Sequence, residues 1–416
     1  MLAIHFCASG VHDMKTRSTF FATLCPLLLT ISLLSACGGG KTAGDDSLAA
    51  EVKLFERTTA PDKLSSWNLV RSDGKLMRLN AATVAYDLNS PLFSDYSSKL
   101  RAIYVPRGGK ISYNGNGADP FAFPNGAVIV KTFYYPKAAG SDAGYIGAQA
   151  VSHQTVQGDS IDLGKNHLIE TRLLVKQADG SWLGLPYVWD DDQKDASLKI
   201  GGAVKRVELL SENGSRQKIS YQVPSAQQCQ QCHATTSAGG GELLPIGTKA
   251  HNLNKTYVYA AGAKNQLDNL NDLGLLSGYT GAAAAPRAAD WSDASQTLDA
   301  RAQAYLEANC AHCHSTTGQA QQSGLLLGFK QTANPQVDAI KRGICKKPLA
   351  YGGPGLPYQY DIVPGSPETS ILLYRTSHTD SESVMPVIGR ASNHAEANAM
   401  LGAWIAAMAR AECSAP

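Results

Sequence analysis

The sequence carries no surplus of charge of either sign, and little charge of any kind. Of 416 residues, 37 are Lys or Arg and 35 are Asp or Glu, a formal net charge of +2, and charged residues make up 17% of the chain, below the roughly 25% of an average globular protein. Without a basic excess there is little to neutralise a phosphate backbone, which argues against nucleic acid as a partner. The few charges form no long blocks and 44% of the residues are hydrophobic, which excludes a wholly disordered chain or a coiled coil. The pronounced apolar run, Phe20 to Leu34, is about 15 residues, short of the roughly 20 that span a bilayer as a helix. Methionine is scarce, with six in all, and no cysteine occurs between Cys37 and Cys229.

What is present begins with a targeting segment. Met14, Lys15 and Arg17 precede the apolar run, which ends in Leu34-Ser35-Ala36-Cys37, the pattern of a bacterial export signal closed by a lipobox. An ordinary cleaved signal or a retained anchor is the weaker reading. Residues 1–13 hold no Lys or Arg, so translation is expected to start at Met14. Cleavage before Cys37 would leave a residue that takes more than one lipid chain, enough for stable anchoring. Gly38 stands where an Asp would retain the protein in the inner membrane, so the expectation is the periplasmic side of the cell envelope, lipid-anchored at the outer membrane. Residues 37–61 have linker composition.

With Cys7 and Cys25 leaving with the signal and Cys37 lipidated, six cysteines remain. Four form two copies of one motif, Cys229-Gln230-Gln231-Cys232-His233 and Cys310-Ala311-His312-Cys313-His314. This is the C-x-x-C-H attachment sequence of c-type haem. Two thiols three positions apart on a helical turn bond both vinyl groups of one porphyrin, and the adjacent His is carried under the iron. A four-cysteine zinc site would place its pairs about 15–20 residues apart, whereas Cys232 and Cys310 are 78 apart (310 − 232). Zinc also gives no reason for a His after each pair. The expected cofactors are two covalent haems c. Cys345 and Cys413, in an oxidising compartment, would most simply pair with each other, the alternative being two buried free thiols.

Each haem then has an open axial position. Met385, ahead of a C-terminal helix, is assigned as distal ligand of the second iron, opposite His314, since His/Met ligation is an established pairing; otherwise it is a core methionine. The first iron, above His233, has no following Met until Met385. Met77 would have to come from the front of the chain, and His251, the nearest following histidine, is the candidate distal ligand, with His153, His167, His378 and His394 as others and an open iron as the alternative. Asp190, Asp191 and Asp192 lack the ligand spacing of a calcium loop.

Residues 62–225 read as β-rich, with runs at 101–105, 127–135, 168–176, 182–189, 204–210 and 219–223. Helical patterns follow at 266–276, bent or stopped near Gly274, at 298–309 leading into Cys310, and at 392–408, where Ser392, Asn393 and Glu396 resemble a capping box. The expected fold is α+β and multidomain: a β-rich, antiparallel sandwich-like N-terminal domain followed by a mainly α-helical cytochrome c-type haem region. The expected division is a signal over 1–36, a lipid-anchored linker over 37–61, the β-rich domain over 62–225, a first haem segment over 226–290 and a cytochrome c-like domain with the second haem over 291–416.

Several segments carry a family likeness: Tyr86 to Tyr96 (Tyr-Asp-Leu-Asn-Ser-Pro-Leu-Phe-Ser-Asp-Tyr), Glu170 to Val175, Leu185 to Trp189, Pro245-Ile246-Gly247 with Asn252-Leu253-Asn254, Asn309 to His314, Gly343 to Lys346, Asp361 to Gly365 and Met385-Pro386. Over roughly 62–410 the chain resembles a family of bacterial dihaem c-type cytochromes, exported proteins with a β-rich front and a cytochrome c-like rear. The resemblance implies haem attachment at Cys229, Cys232, His233, Cys310, Cys313 and His314, and it names no substrate. The function expected is electron transfer between redox partner proteins of the periplasm or envelope. The alternatives are a dihaem peroxidase or oxidase with an open first iron, and a module whose β-rich part docks a partner while the haems wire it.

Overall fold

The computed structural model describes residues 51–410 and Cys413, apart from 116, 118, 153–155, 236–240, 329–338 and 350–357. Cys37 and the export signal, and with them His153, lie outside the described residues. The centre is a six-stranded sheet of β1 (Thr83–Tyr86), β2 (Ser98–Tyr104), β3 (Val128–Pro136), β4 (Asn166–Lys176), β5 (Trp182–Trp189) and β6 (Ala196–Leu198). The strands lie side by side in chain order and every neighbouring pair is antiparallel. Because side chains alternate across a strand, Leu100, Val128, Val130, Leu173, Leu185 and Trp189 share one face, and they pack with Trp67 and the fully buried Met77.

The other face is not a solvated one. Phe133, Tyr135, Ile169 and Val188 meet Val207, Leu209, Ile219 and Tyr221 of a three-stranded sheet, Ile146–Gln149, Ala203–Leu210 and Arg216–Val223. That layer is mixed rather than purely antiparallel, since Ile146–Gln149 runs parallel to Ala203–Leu210. Beside it, on the same face of the central sheet, Tyr86, Ile103 and Ile129 are covered by Leu253, Leu267, Leu270 and Leu276. The segment after the first motif thus shares the core of the sheet.

The helices are α1 (Cys229–His233), α2 (Ala250–Leu253), α3 (Gln266–Asp272), α4 (Leu298–Cys310), α5 (Ile371–Ser377) and α6 (Ala395–Ala406). The expected mainly α-helical haem region is corrected by this structure: among the described residues 19% are helical and 29% are strand, and of these helices only α4 and α6 exceed two turns. The cause is local. Between α4 and α5, Gly343 adopts φ 103°, a conformation that favours glycine, and Pro364 and Pro367 interrupt the chain before α5. The helix expected to bend or stop near Gly274 ends at Asp272, and Leu276–Ser277 then pairs as a short strand with Ile111–Ser112. The capping box expected at Ser392 is also absent. The helix begins at Ala395 after His394, because the Ser392 hydroxyl is drawn to Asp95.

α4 and α6 pack through Ala302, Tyr305 and Leu306 against Leu401, Trp404 and Ile405, and a disulfide joins Cys345 to Cys413. This C-terminal layer is fastened to the sheet by the turn before β2. There Asp95 and Tyr96 take φ of 50° and 62°, a conformation costly for a bulky side chain. Tyr135 holds the turn by donating to the Asp95 carbonyl at 2.6 Å. The Asp95 carboxylate, buried, accepts from the Ala391 N–H at 2.8 Å, the Ser392 N–H at 2.7 Å and the Ser392 hydroxyl at 2.8 Å. Phe93 stacks on His394 with ring centroids 4.2 Å apart. Asp95→Ala orphans three donors at once, so a loss on the order of 3 kcal/mol is expected; Asp95→Asn keeps an acceptor oxygen and loses less. Limited proteolysis read by mass spectrometry should show new cleavage in 386–394 for Asp95→Ala, and equal protection of both variants would remove the fastening role.

Candidate functional site

α1 presents the first motif within one and a half turns. It lies against β5 at Gly184, where a Cβ would stand 3.3 Å from the Cys229 Cβ, so the missing side chain is what lets the helix approach. α4 delivers the second motif. Thr297 caps its start by accepting from the Ala300 N–H, and after its last residue, Cys310, a turn closes with the His314 N–H donating to the Cys310 carbonyl at 2.8 Å. The two motifs, far apart in sequence, are in contact. The Cys313 Sγ lies 3.6 Å from the Gln231 carbonyl, and the Cys232 thiol is hydrogen-bonded to Cys313 and to His312.

The first motif and Cys310, Ala311 and His312 of the second line one cavity of about 640 Å³, within the range of cofactor sites, while Cys313 and His314 are not among its lining residues. Its floor is the second face of the central sheet, with Ile129, Lys131 and Arg172, and its far wall is the loop from Met385 to Arg390. Met385 is half-buried and lines that wall. Its N–H donates to the Arg375 carbonyl at 3.0 Å and its carbonyl accepts from Arg390 at 2.8 Å. Met77 lies in the apolar core on the opposite face of the sheet, away from the cavity.

The chemistry of the donors suits a covalent haem. The His233 Nδ1–H donates to the Leu244 carbonyl at 2.7 Å, which fixes the tautomer and leaves Nε2 with a free lone pair. Nδ1 of His314 is engaged by the Ser323 hydroxyl at 2.9 Å. Burial lowers both imidazoles to a pKa of about 4, so both are neutral, as an iron ligand must be. Burial raises the Cys229 thiol and pushes Cys310 up to about 12. Cys313, whose proton is held in its hydrogen bond to Cys232, is driven up while Cys232 is drawn down. The four thiols do not converge on a tetrahedral centre: among the described residues no three His, Cys, Asp or Glu side chains gather as a metal-ion site. The acidic run is likewise spent on surface pairs, Asp190 with Lys63 at 2.6 Å and Asp191 with Lys205 at 3.7 Å.

His251, the candidate distal ligand of the first iron, is not among the cavity-lining residues. It is fully buried, with Nδ1 2.5 Å from the Gly117 carbonyl and Nε2 2.8 Å from the Glu307 Oε1. Its Nε2 faces the Glu307 carboxylate of α4. Of the other histidines, His378 stacks on Tyr374 at 3.9 Å, burial lowers His167 to about 4, and His394 lies among Phe93, Tyr305 and Trp291. His312, the third residue of its motif, reaches across to Cys232. Sequence reasoning also missed Glu307 and the sheet cations Arg101, Lys131 and Arg172. Alternation along the strands reads as a polar outer face, and nothing local tells that this face is covered.

Glu307 accepts from Lys249 at 3.1 Å as well as from His251. Burial pushes its carboxyl up, but the His251 hydrogen bond and the Lys249 charge outweigh this and hold it below its usual value. A depressed carboxylate stabilises above its unfolded value, near about 4.3, and that contribution disappears as pH falls through the folded value. Glu307→Gln is therefore expected to cost on the order of 3 kcal/mol at neutral pH, and the gap from the parent should narrow below about pH 4. Denaturant titrations of both proteins across that window check it; a gap independent of pH would assign the loss to packing.

No family model, no curated protein and no solved structure matches this chain, so the reading of the site rests on its residues.

Proposed function

We propose that this chain is an exported, lipid-tethered dihaem c-type cytochrome that transfers electrons in the bacterial cell envelope. The observation that carries the reading is the meeting of two C-x-x-C-H segments, with the Cys313 Sγ 3.6 Å from the Gln231 carbonyl, beside a cavity lined by Cys229, Cys232, His233 and Cys310, and each His held through Nδ1. The haems supply one-electron chemistry at iron. The chain's part is to bind and orient: Cys229 and Cys232 anchor one porphyrin, Cys310 and Cys313 the other, and His233 and His314 present neutral Nε2 atoms. Met385, on the far wall, offers a thioether to the second iron. Adjoining attachment edges favour exchange between the two groups. Cys37 supplies the tether, and the partners are redox proteins of the envelope. The family of bacterial dihaem cytochromes that the sequence resembles fits this assignment.

A second reading, a dihaem peroxidase or oxidase, is favoured by one observation. With His251 not among the cavity-lining residues and Met385 the one methionine among them, the first iron is left without an assigned distal ligand. A high-spin spectrum that responds to carbon monoxide or peroxide would support the enzyme, and two inert low-spin haems the carrier.

Protein matured with a cytochrome c assembly system should carry two covalent haems by intact mass, and Cys229→Ala with Cys232→Ala should carry one; a single haem in the parent would end the reading. Met385→His should lower the potential of one haem by on the order of 0.1 V, a part of the roughly 0.8 V that axial ligands span, with loss of the near-infrared methionine-to-iron band. Unchanged spectrum and potential would make Met385 a packing residue.

A further inference from the structure

The floor of the cavity carries a charge arrangement that neither attachment nor axial ligation uses. Arg101 of β2 stands directly opposite Lys131 of β3, and Lys131 directly opposite Arg172 of β4. Like charges in directly opposed positions repel, and in this row Arg101 is buried while Lys131 and Arg172 are partly exposed at the cavity. Two carboxylates answer it, and both are already shared. Asp87 binds the Arg101 Nη1 at 2.9 Å and Lys255 at 3.0 Å. Glu170 takes both arms of Arg172, at 2.8 and 2.6 Å, and the Tyr221 hydroxyl. Lys131 forms no ion pair among the described residues, its ammonium lying 4.9 Å from the Phe133 ring centre. The Arg101 Nη2, on a side chain 3% exposed, is buried without a hydrogen-bond partner. Arg101, Lys131 and Arg172 all line the cavity together with Cys232 and His233.

We propose that the Arg101–Lys131–Arg172 row is an oxyanion site beside the first motif, taking a carboxylate-type group between the Arg101 Nη2 and the Lys131 ammonium. An anion there would give the guanidinium its missing acceptor and the row its missing countercharge, in the charge-assisted form that makes such bonds strong. Burial, then Arg101 and Arg172, drive the Lys131 ammonium well below its ordinary range; a bound anion opposes that drive. The group has two sources of the same chemistry: the carboxylates of the first haem's own propionates, or a small oxyanion entering from solvent. The first source rests on the haem reading above and the second does not.

The test compares the parent with Lys131→Gln and Lys131→Arg, after intact mass has established haem content, with formate as the probe. If propionates fill the site, formate leaves the parent's Soret band unchanged and Lys131→Gln lowers the midpoint of one haem, while Lys131→Arg keeps it. If a free oxyanion fills it, formate produces a saturable Soret shift whose dissociation constant weakens at least about tenfold in Lys131→Gln, the loss of one charge-assisted contact, and recovers in Lys131→Arg. Parent and Lys131→Gln with the same midpoints and the same response to formate overturn the proposal. A mass lacking haem at Cys229 and Cys232 is a failure of the haem reading instead. Formate binding to that protein by calorimetry, lost in Lys131→Gln, would still support the site, and its absence would overturn it.

Discussion

The meeting of the two motifs depends on how α4 is held against the sheet. The helix serves two masters. Ala302, Tyr305 and Leu306 belong to the C-terminal core, while Glu307 and Asn309, one turn or less before Cys310, turn to the β-rich side. Glu307 is clasped by Lys249 and His251, and the Asn309 Oδ1 accepts from the Phe93 N–H at 2.8 Å. Apolar packing is non-directional and would tolerate a helix that slides or rotates. A buried carboxylate with two fixed donors and an amide bonded to backbone tolerate neither, since displacement leaves polar groups unpaired. Cys310 inherits that precision, and with it the contact of the second motif with the first.

How much of this could be read in the sequence follows from the range of the physics involved. The strands at 127–135, 168–176 and 182–189 and the helix ending in the second motif rest on local patterning, and β3, β4, β5 and α4 occupy nearly those residues. The attachment motifs are local as well. Part of what was missed was decided at a distance. Ser392 carries the signature of an N-cap, yet Asp95, 297 positions away, takes its hydroxyl. His251 looks like a ligand by proximity to the first motif, and only the fold reveals Gly117 and Glu307 on its two nitrogens. The helical estimate for the rear of the chain erred because a cytochrome c-like order of motifs was allowed to stand for helix content, against the Gly and Pro residues between α4 and α6.

The same reasoning explains why the charged floor was invisible. In a chain that is only 17% charged, Lys99, Arg101, Lys131, Glu170 and Arg172 alternate along strands as solvent-facing residues do. Of these the Arg101 and Glu170 side chains are 3% exposed or less, and Lys131 and Arg172 are partly exposed at the cavity. Buried ion pairs rarely stabilise a fold more than well-packed apolar residues would. A protein with few charges that nevertheless gathers them beneath one cavity has fixed an electrostatic potential there.

On the proposed function that potential has a direction. Positive charge beside a haem favours the ferrous form, and so does a thioether ligand. On that reading the cation row would act on the first haem and Met385 on the second. Two unlike devices would thus move both haems the same way and keep them closer in potential than either device alone. Electrons passed through adjoining groups of similar potential travel without a large uphill step. An electron feeder and a catalytic iron would be better served by unequal environments, and it is the row beneath the first motif that tilts the balance towards the carrier.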